Sequence, residues 1–360
     1  MMAKGEEAAM RAVSRAVAEL RRGDPVALRC AGGALLAAAA ENAGAALLER
    51  LAALGAAPPG LVLGAGRAAA LGVDAPDGAV RLEGPLELAL RESLGDPVGS
   101  LPLPLRAWAH RPADAAETAA VLLAKLARLL PAAVTAPAPA GFDPAAADIL
   151  AVDAAAVFAY RRDSALALRR VGAARVPLEG AEDARIVAFR AADGGVEHLA
   201  IVVGDPPGDR PVLARLHSAC LTGDILGSLR CDCGEQLRGA IHQIAAEGGG
   251  VLLYLAQEGR DIGLVNKLRA YALQDGGLDT VDANLALGFA ADERLFEPAA
   301  AMLRQLGFSA VRLMTNNPDK VAQLAACGIA VTERVPHAFP ANGHNEAYLR
   351  TKKAKSGHLL

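Results

Sequence analysis

Hydrophobic and polar positions are patterned differently in the two halves of the chain. Beyond about residue 170, short apolar runs alternate with amphipathic ones. The runs "HLAIVVGD" (198–205) and "PVLARLHS" (211–218) predict β-strands bracketing the loop "PPGD". "EQLRGAIHQIAAEGGG" predicts a helix with a glycine stop, and "VLLYL" at 251–255 a short buried strand. "NKLRAYALQDGG" predicts a further helix, and "LFEPAAAMLRQLGF" leads into a strand, "VRLMT", at 311–315. Asn317 is then placed to cap a helix with Pro318 in its first position and Gly328 just past its end. Such alternation implies an α/β fold with at least some parallel strands.

The first half is harder to read. Alanine and leucine dominate up to about residue 140 and raise helix propensity everywhere, which blurs the helix signal. The Pro/Ala-rich stretch "LPAAVTAPAPAGFDPAAAD" (130–148) reads as a boundary. The expected organisation is two domains, 1–140 and 169–360, joined by a linker at 141–168, the second of them α/β. A chain of 360 residues is long enough to give each domain a core.

Composition narrows the function classes. A net charge of −3 argues against a general nucleic-acid or membrane-surface binder. No apolar run reaches the roughly 18 residues of a membrane helix, and the opening "MMAKGEEAAMRAVSRAVAEL" lacks the apolar core and cleavage site of a signal peptide. A cytoplasmic location is the expectation, and there clustered cysteines point to metal or catalysis before disulfides.

Three of the five cysteines fall within "SACLTGDILGSLRCDCGEQL" (218–237), as Cys220, Cys231 and Cys233. Three thiolates on Zn²⁺ leave one tetrahedral position for water, the pattern of a catalytic site. Spacing alone also allows small buried residues, or a structural site closed by His217. The polar setting of Asp224, Arg230, Asp232, Glu235 and Gln236 favours the metal. Cys30 and Cys327 sit among alanines and read as core residues.

The motifs "ARLHSACLTGDILGSLRCDCGEQL", "YLAQEGRDIGLVNKLRAYALQD", "NLALGFAADER" and "RLMTNNPDKV" occur in one order over about 170–360. Together they resemble GTP cyclohydrolase II of riboflavin biosynthesis. The family opens the imidazole ring of GTP and releases formate and pyrophosphate, giving 2,5-diamino-6-(5-phosphoribosylamino)pyrimidin-4-one. The resemblance implies one zinc per chain on Cys220, Cys231 and Cys233, Mg²⁺ with the triphosphate, and a homodimer. It implies GTP-binding roles for Arg215, Leu216, His217, Ser218, Ala219 and Gln236, for Glu258, Gly259 and Arg260, and for Thr280, Thr315 and Lys320. Asp292 is implied as proton acceptor, Arg294 as nucleophile toward the α-phosphorus, and Tyr271 as an active-site residue. On residue type alone, Asp292 and Arg294 read as a helix cap and a surface arginine. Likewise "EGR" at 258–260 reads as a solvated turn. A protonated guanidinium also suits electrostatic stabilisation, so both roles stay open for Arg294. His217, His344 and His358 are not taken as metal ligands.

One departure stands out. Where the family usually has a glutamate before the first zinc cysteine, this chain has Ala219. The lost carboxylate bears on the hydrogen bonding around the metal and on GTP affinity. Two rival readings stand beside the family's: an enzyme that opens the ring but retains the formyl group, or a non-catalytic, zinc-stabilised nucleotide-binding domain. Asp292, Arg294, Tyr271 and Lys320 together argue against the second. The first half, through "AVAELRRGDPVALRCAGGALLAAAAENAGAALLERLAALG" and "GLVLGAGRAAALGV", resembles 3,4-dihydroxy-2-butanone 4-phosphate synthase. That enzyme binds Mg²⁺ with a run of acids, where this chain offers Glu41 alone. At the place of its catalytic histidine stand Glu117 and Thr118. The resemblance therefore implies a first domain of α/β fold that is inactive.

Overall fold

A computed structural model gives the structure of residues 4–73, 75, 78–83, 98, 109–340 and 343. His344 and His358 lie outside the described residues. The chain divides into two units, one of Met1–Asp163 with Val265–Glu293, the other of Ser164–Leu264 with Arg294–Leu360.

The first unit is built on seven described strands: β1 (Val26–Cys30), β2 (Gly33–Ala39), β3 (Gly60–Gly64), β4 (Ala79–Leu82), β5 (His110–Pro112), β6 (Ala132–Pro137) and β7 (Leu150–Asp153). Their order is β5-β4-β3-β6-β2-β1-β7, antiparallel throughout except for β1 beside β7. Val26, Leu28, Leu35, Ala37 and Val62 pack with the helices Lys4–Arg22 and Ala115–Leu126. Their alternates Ala27, Leu36, Leu61 and Leu63 join Leu51 and Ala68 in a separate cluster. Burial on both faces explains why "GALLAAA" is a continuous apolar run instead of an alternating one. It also overrides the helix preference of alanine there. The stretch 141–168, expected as a linker, contributes β7 and the helix Ala154–Leu166. The apolar residues after Asp148 are used to extend the sheet beside β1.

The second unit holds β8 (Leu168–Arg175), β9 (Arg185–Ala191), β10 (His198–Val203), β11 (Val212–Ser218), β12 (Gly250–Leu255), β13 (Ala310–Met314) and β14 (Ala330–Val335). The order is β14-β13-β11-β12-β10-β9-β8. The four strands from β14 to β12 run parallel, and β10, β9 and β8 continue antiparallel. The α/β expectation holds, with a mixed sheet in this unit. Phe189, Val202, Ala214, Leu253 and Leu313 pack with the helix Glu297–Gln305. Leu213, Leu252 and Met314 pack with Ala240 and Ile244 of the helix Cys233–Ala246. Asn317 caps the helix Pro318–Ala326 by accepting from Asp319 N, as its sequence position requires.

Two readings need correction. Cys30 is exposed and Cys327 half-buried, because β1 leaves the core at its last two residues and Cys327 is the C-terminal cap of its helix. Asp292 caps no helix; the helix after it starts at Glu297 with Phe296 at the cap position. Among the described residues no helix is long and apolar enough to cross a membrane.

Phe189 is fully buried in the second sheet. Phe189→Ala should lower unfolding stability by about 3–5 kcal/mol, read as a shift of the urea midpoint at constant slope. A loss below about 1 kcal/mol would show that this core relaxes around the cavity.

Candidate metal centre and nucleotide site

Three adjacent parallel strands assemble the site. β11 has β12 on one side and β13 on the other, the kind of switch point at whose carboxyl edge α/β proteins gather ligands. Cys220 follows β11, Glu258 to Arg260 follow β12, and Thr315 and Lys320 follow β13. The motifs separated in sequence thus meet at one edge of the sheet.

After β11 the chain makes a single tight turn, Leu221–Ile225, before returning to the helix Cys233–Ala246. The sulfurs of Cys220, Cys231 and Cys233 lie within 4.8 Å of one another, those of Cys220 and Cys231 at 3.8 Å. A tetrahedral zinc about 2.3 Å from each sulfur sets sulfurs about 3.8 Å apart, so the cradle fits that ion. Soft thiolates suit zinc and not a hard cation. Gly223 permits the convergence. A Cβ there would stand 2.7 Å from Cys231 Sγ and 2.9 Å from Cys233 Cβ. Its N–H donates to Cys220 Sγ at 3.4 Å. Hydrogen bonding to Cys220 and Cys231, with burial adding, holds the Cys233 thiol well above its ordinary range; hydrogen bonding to Cys220 and burial raise that of Cys231 against the opposing pull of Cys233. Three sulfurs this close resist ionising together without a cation.

A buried carboxylate holds the turn. Asp224 Oδ2 accepts from Cys220 N at 2.9 Å and from Tyr254 Oη at 2.9 Å, and His217 Nε2 lies 3.0 Å from Oδ1. With Asp224 as acceptor, Nε2 carries the imidazole proton. His217 pairs with Tyr254 across β11 and β12 and stacks on its ring at 5.5 Å. Burial holds His217 below the ordinary histidine range, against the opposing pull of Asp224. Burial first, then Asp224, raises the Tyr254 phenol beyond its usual range. Sequence reading named Asp224 only as part of a polar setting and passed over Tyr254 and Gly223. A carboxylate four residues after the first cysteine was the available signal.

Glu258 closes on the same turn: Oε2 accepts from Leu221 N at 2.6 Å and Oε1 from Gly259 N at 3.1 Å. The residues after it, Gly259, Arg260 and Asp261, all take positive φ, at 64°, 60° and 75°. For the two non-glycine residues that conformation costs about 1–2 kcal/mol each, and such strain persists where a site dictates the backbone. Arg215 is buried, donating Nη1 to Met314 O at 2.9 Å and Nη2 to Gln236 Oε1. Burial pushes its guanidinium down to about 10. Arg215 Nε and Gln257 Oε1 are buried without a hydrogen-bond partner among the described residues. Lys320 Nζ donates to Leu216 O at 3.1 Å, Thr315 Oγ1 accepts from Asn317 N at 3.0 Å, and Arg294 Nη1 reaches Ser218 Oγ at 3.4 Å. Ala219 N donates to Leu255 O at 2.8 Å.

Tyr271, Thr280 and Asp292 belong to the first unit. Tyr271 is half-buried with Lys267 Nζ 5.8 Å above its ring. Thr280 opens a helix capped by Asp279. Asp292 lies in an exposed loop.

Sheet and cradle together define an α/β protein with three converging cysteines, able to hold a metal, at the carboxyl edge of its parallel strands. A family model of GTP cyclohydrolase II matches residues 169–336. The chain is 58% identical to a GTP cyclohydrolase-2 of Azospirillum brasilense over 368 residues, 99% of this chain and 95% of the relative. It is 57% identical to GTP cyclohydrolase-2 of Yersinia pseudotuberculosis over 193 residues, 54% of this chain and 98% of the relative. The chain belongs to the GTP cyclohydrolase II family. Among solved structures, a two-domain 3,4-dihydroxy-2-butanone 4-phosphate synthase from A. baumannii matches 91% of this chain and 99% of its own at 17% identity, with a TM-score of 0.35.

Because a methyl group at position 223 would fall among the sulfurs, Gly223→Ala should cut zinc affinity at least about tenfold while the fold persists. Competition with a chromogenic chelator measures this. Wild-type affinity in the variant would show that the sulfurs do not share one ion.

Proposed function

We propose that this chain is a zinc-dependent GTP cyclohydrolase II that makes 2,5-diamino-6-(5-phosphoribosylamino)pyrimidin-4-one, the first step of riboflavin biosynthesis. The observation that carries this reading is the three-sulfur cradle beside Arg215, Glu258 and Lys320 at one sheet edge. Its occurrence in a chain with a GTP cyclohydrolase-2 relative along its whole length supports it further. Zinc held by Cys220, Cys231 and Cys233 would supply Lewis-acid activation of water for attack at guanine carbon 8.

The remaining roles belong to the chain's own side chains. One water opens the ring at carbon 8, a second frees that carbon as formate, and a third cleaves the α–β phosphate link. Glu258, held at both oxygens by backbone N–H groups, accepts the guanine N–H donors. Arg215, Gln236, Arg260, Thr280, Thr315 and Lys320 bind the nucleotide, and Mg²⁺ accompanies the triphosphate. The strand end Leu216 to Ala219 carries the backbone beside it. Asp292 takes the proton, and Tyr271 completes the active site. Arg294 acts at the α-phosphate, where a protonated guanidinium stabilises developing charge. Nucleophilic attack by Arg294 is the alternative. The exposed Ile225, Leu226 and Leu229 between the cysteines offer an apolar surface to the second copy of a homodimer.

Ala219 supports a second reading, in which the formyl group is retained. The masses of the products differ by the formyl and separate the two. Cys231→Ser should lose both zinc and formate release. Arg294→Ala should keep zinc and the thermal transition, yet fall by about 10²-fold or more in turnover. A zinc-free but fully active Cys231→Ser would remove the metal from the reaction, and an unstable Arg294→Ala would make that residue structural.

The first half, which resembles 3,4-dihydroxy-2-butanone 4-phosphate synthase, is proposed to be inactive. Glu41, its one acid at the metal-binding place, is already engaged by Leu130 N at 2.8 Å and Arg269 Nη2 at 2.9 Å. Glu117, at the histidine's place, is buried between Arg81 at 3.0 Å and Arg111 at 2.9 Å. Full-length protein with ribulose 5-phosphate and Mg²⁺ should give no dihydroxybutanone phosphate. Measurable turnover would overturn that assignment.

A further inference from the structure

Residues 265–293 lie between β12 and β13 in sequence and inside the stretch matched by the family model, yet they group with the first 163 residues. Their attachment there is made by specific polar anchors. Glu41 bonds Arg269 at 2.9 Å with one oxygen and Leu130 N at 2.8 Å with the other. Arg269 Nη1 also donates to Asn266 Oδ1 at 2.9 Å, and the fully buried Asn266 donates to Arg128 O at 2.9 Å. Arg128 offers that carbonyl from a left-handed backbone, φ 59°.

At the other end of the segment stands Glu293, whose side chain is 9% exposed. Lys125 Nζ lies 2.6 Å from Oε1, which also accepts from Ala290 N at 2.7 Å, and Arg161 reaches Oε2 at 3.4 Å. Lys125 lies also 5.9 Å over the ring of buried Phe289. Between these ends the backbones touch. A Cβ on Gly66 would come within 3.1 Å of Leu285 O, and one on Gly288 within 3.1 Å of Arg67 Cβ. Arg67 Nη1 donates to Ala286 O at 3.4 Å.

We infer that the first half serves as the scaffold of this segment, and that Glu41 and Lys125 are positioning residues for GTP turnover. The inference rests on the proposed function, because it takes the roles of Tyr271 and Asp292 from there. Arg269 precedes Tyr271 by two residues on one helix, and Glu293 adjoins Asp292. Fixing both ends therefore fixes both proposed catalytic side chains. A passenger domain needs only an apolar seam, whereas a half-buried carboxylate and a buried one each paired to a cation cost desolvation and constrain geometry. The sole acid left in the alanine-rich stretch is used on the segment and not on a metal. A displacement of about 1 Å at a reacting group can cost about 10²-fold in rate.

The test uses the full-length protein with the double change Glu41→Gln and Lys125→Ala. Turnover should fall about 10- to 100-fold, with zinc content unchanged and the KM for GTP within about threefold. Amide hydrogen exchange should quicken over 265–293 while β10 to β13 keep their protection. Keeping Glu41 and replacing Lys125 by the conservative Lys125→Arg should leave most of the turnover in place. Turnover within twofold of wild type despite faster exchange would overturn the inference, as would unchanged exchange. Should the double change unfold the protein, the charge swap Glu41→Arg with Arg269→Glu decides: recovery over either single change supports anchoring, and none contradicts it. Failure of the wild type to release formate from GTP would sink the functional reading instead. The exchange result would then decide the scaffold by itself.

Discussion

The cysteine site depends on one carboxylate. Asp224 takes hydrogen bonds from Cys220 N, Tyr254 Oη and His217 Nε2 while buried, and so ties the turn after β11 to the two strands behind it. A buried carboxylate without donors would be expensive. With three, it fixes the turn that brings Cys220 opposite Cys231. Gly223, one residue earlier, leaves the space the sulfurs occupy. Glu258 pins the same turn from β12 through Leu221 N. Each lies outside the three cysteines, and each bears on whether their sulfurs converge.

The second half was largely legible. Short apolar runs bounded by glycine, proline and polar residues gave β10, β11, β12 and β13, and the Asn317–Pro318–Gly328 punctuation gave a helix with its cap. Chemistry there stands out because cysteine, arginine and aspartate cluster against an alanine background. What pattern could not supply was the hydrogen bonding of Asp224 and Glu258. A carboxylate recognising guanine and one pinning a backbone N–H look alike in sequence.

The first half was opaque for a physical reason. Strands such as β2 and β3 are buried on both faces, so they show no alternation, and their alanines carry helix propensity. Nor does sequence order show that Val265–Glu293 groups with residues far before it. Glu41, Lys125 and Arg67 reach that segment across more than a hundred residues of sequence. The one carboxylate of the alanine-rich stretch, Glu41, holds Arg269 of that segment.

Under the proposed function, one ion in the three-sulfur cradle is required to open the ring of GTP. Stripping the full-length protein with a chelator and adding zinc back in known amounts tests it directly, with formate release followed at each addition. Activity should rise linearly and reach its plateau at one zinc per chain. Full formate release from stripped protein, or a plateau well away from one zinc per chain, would contradict it.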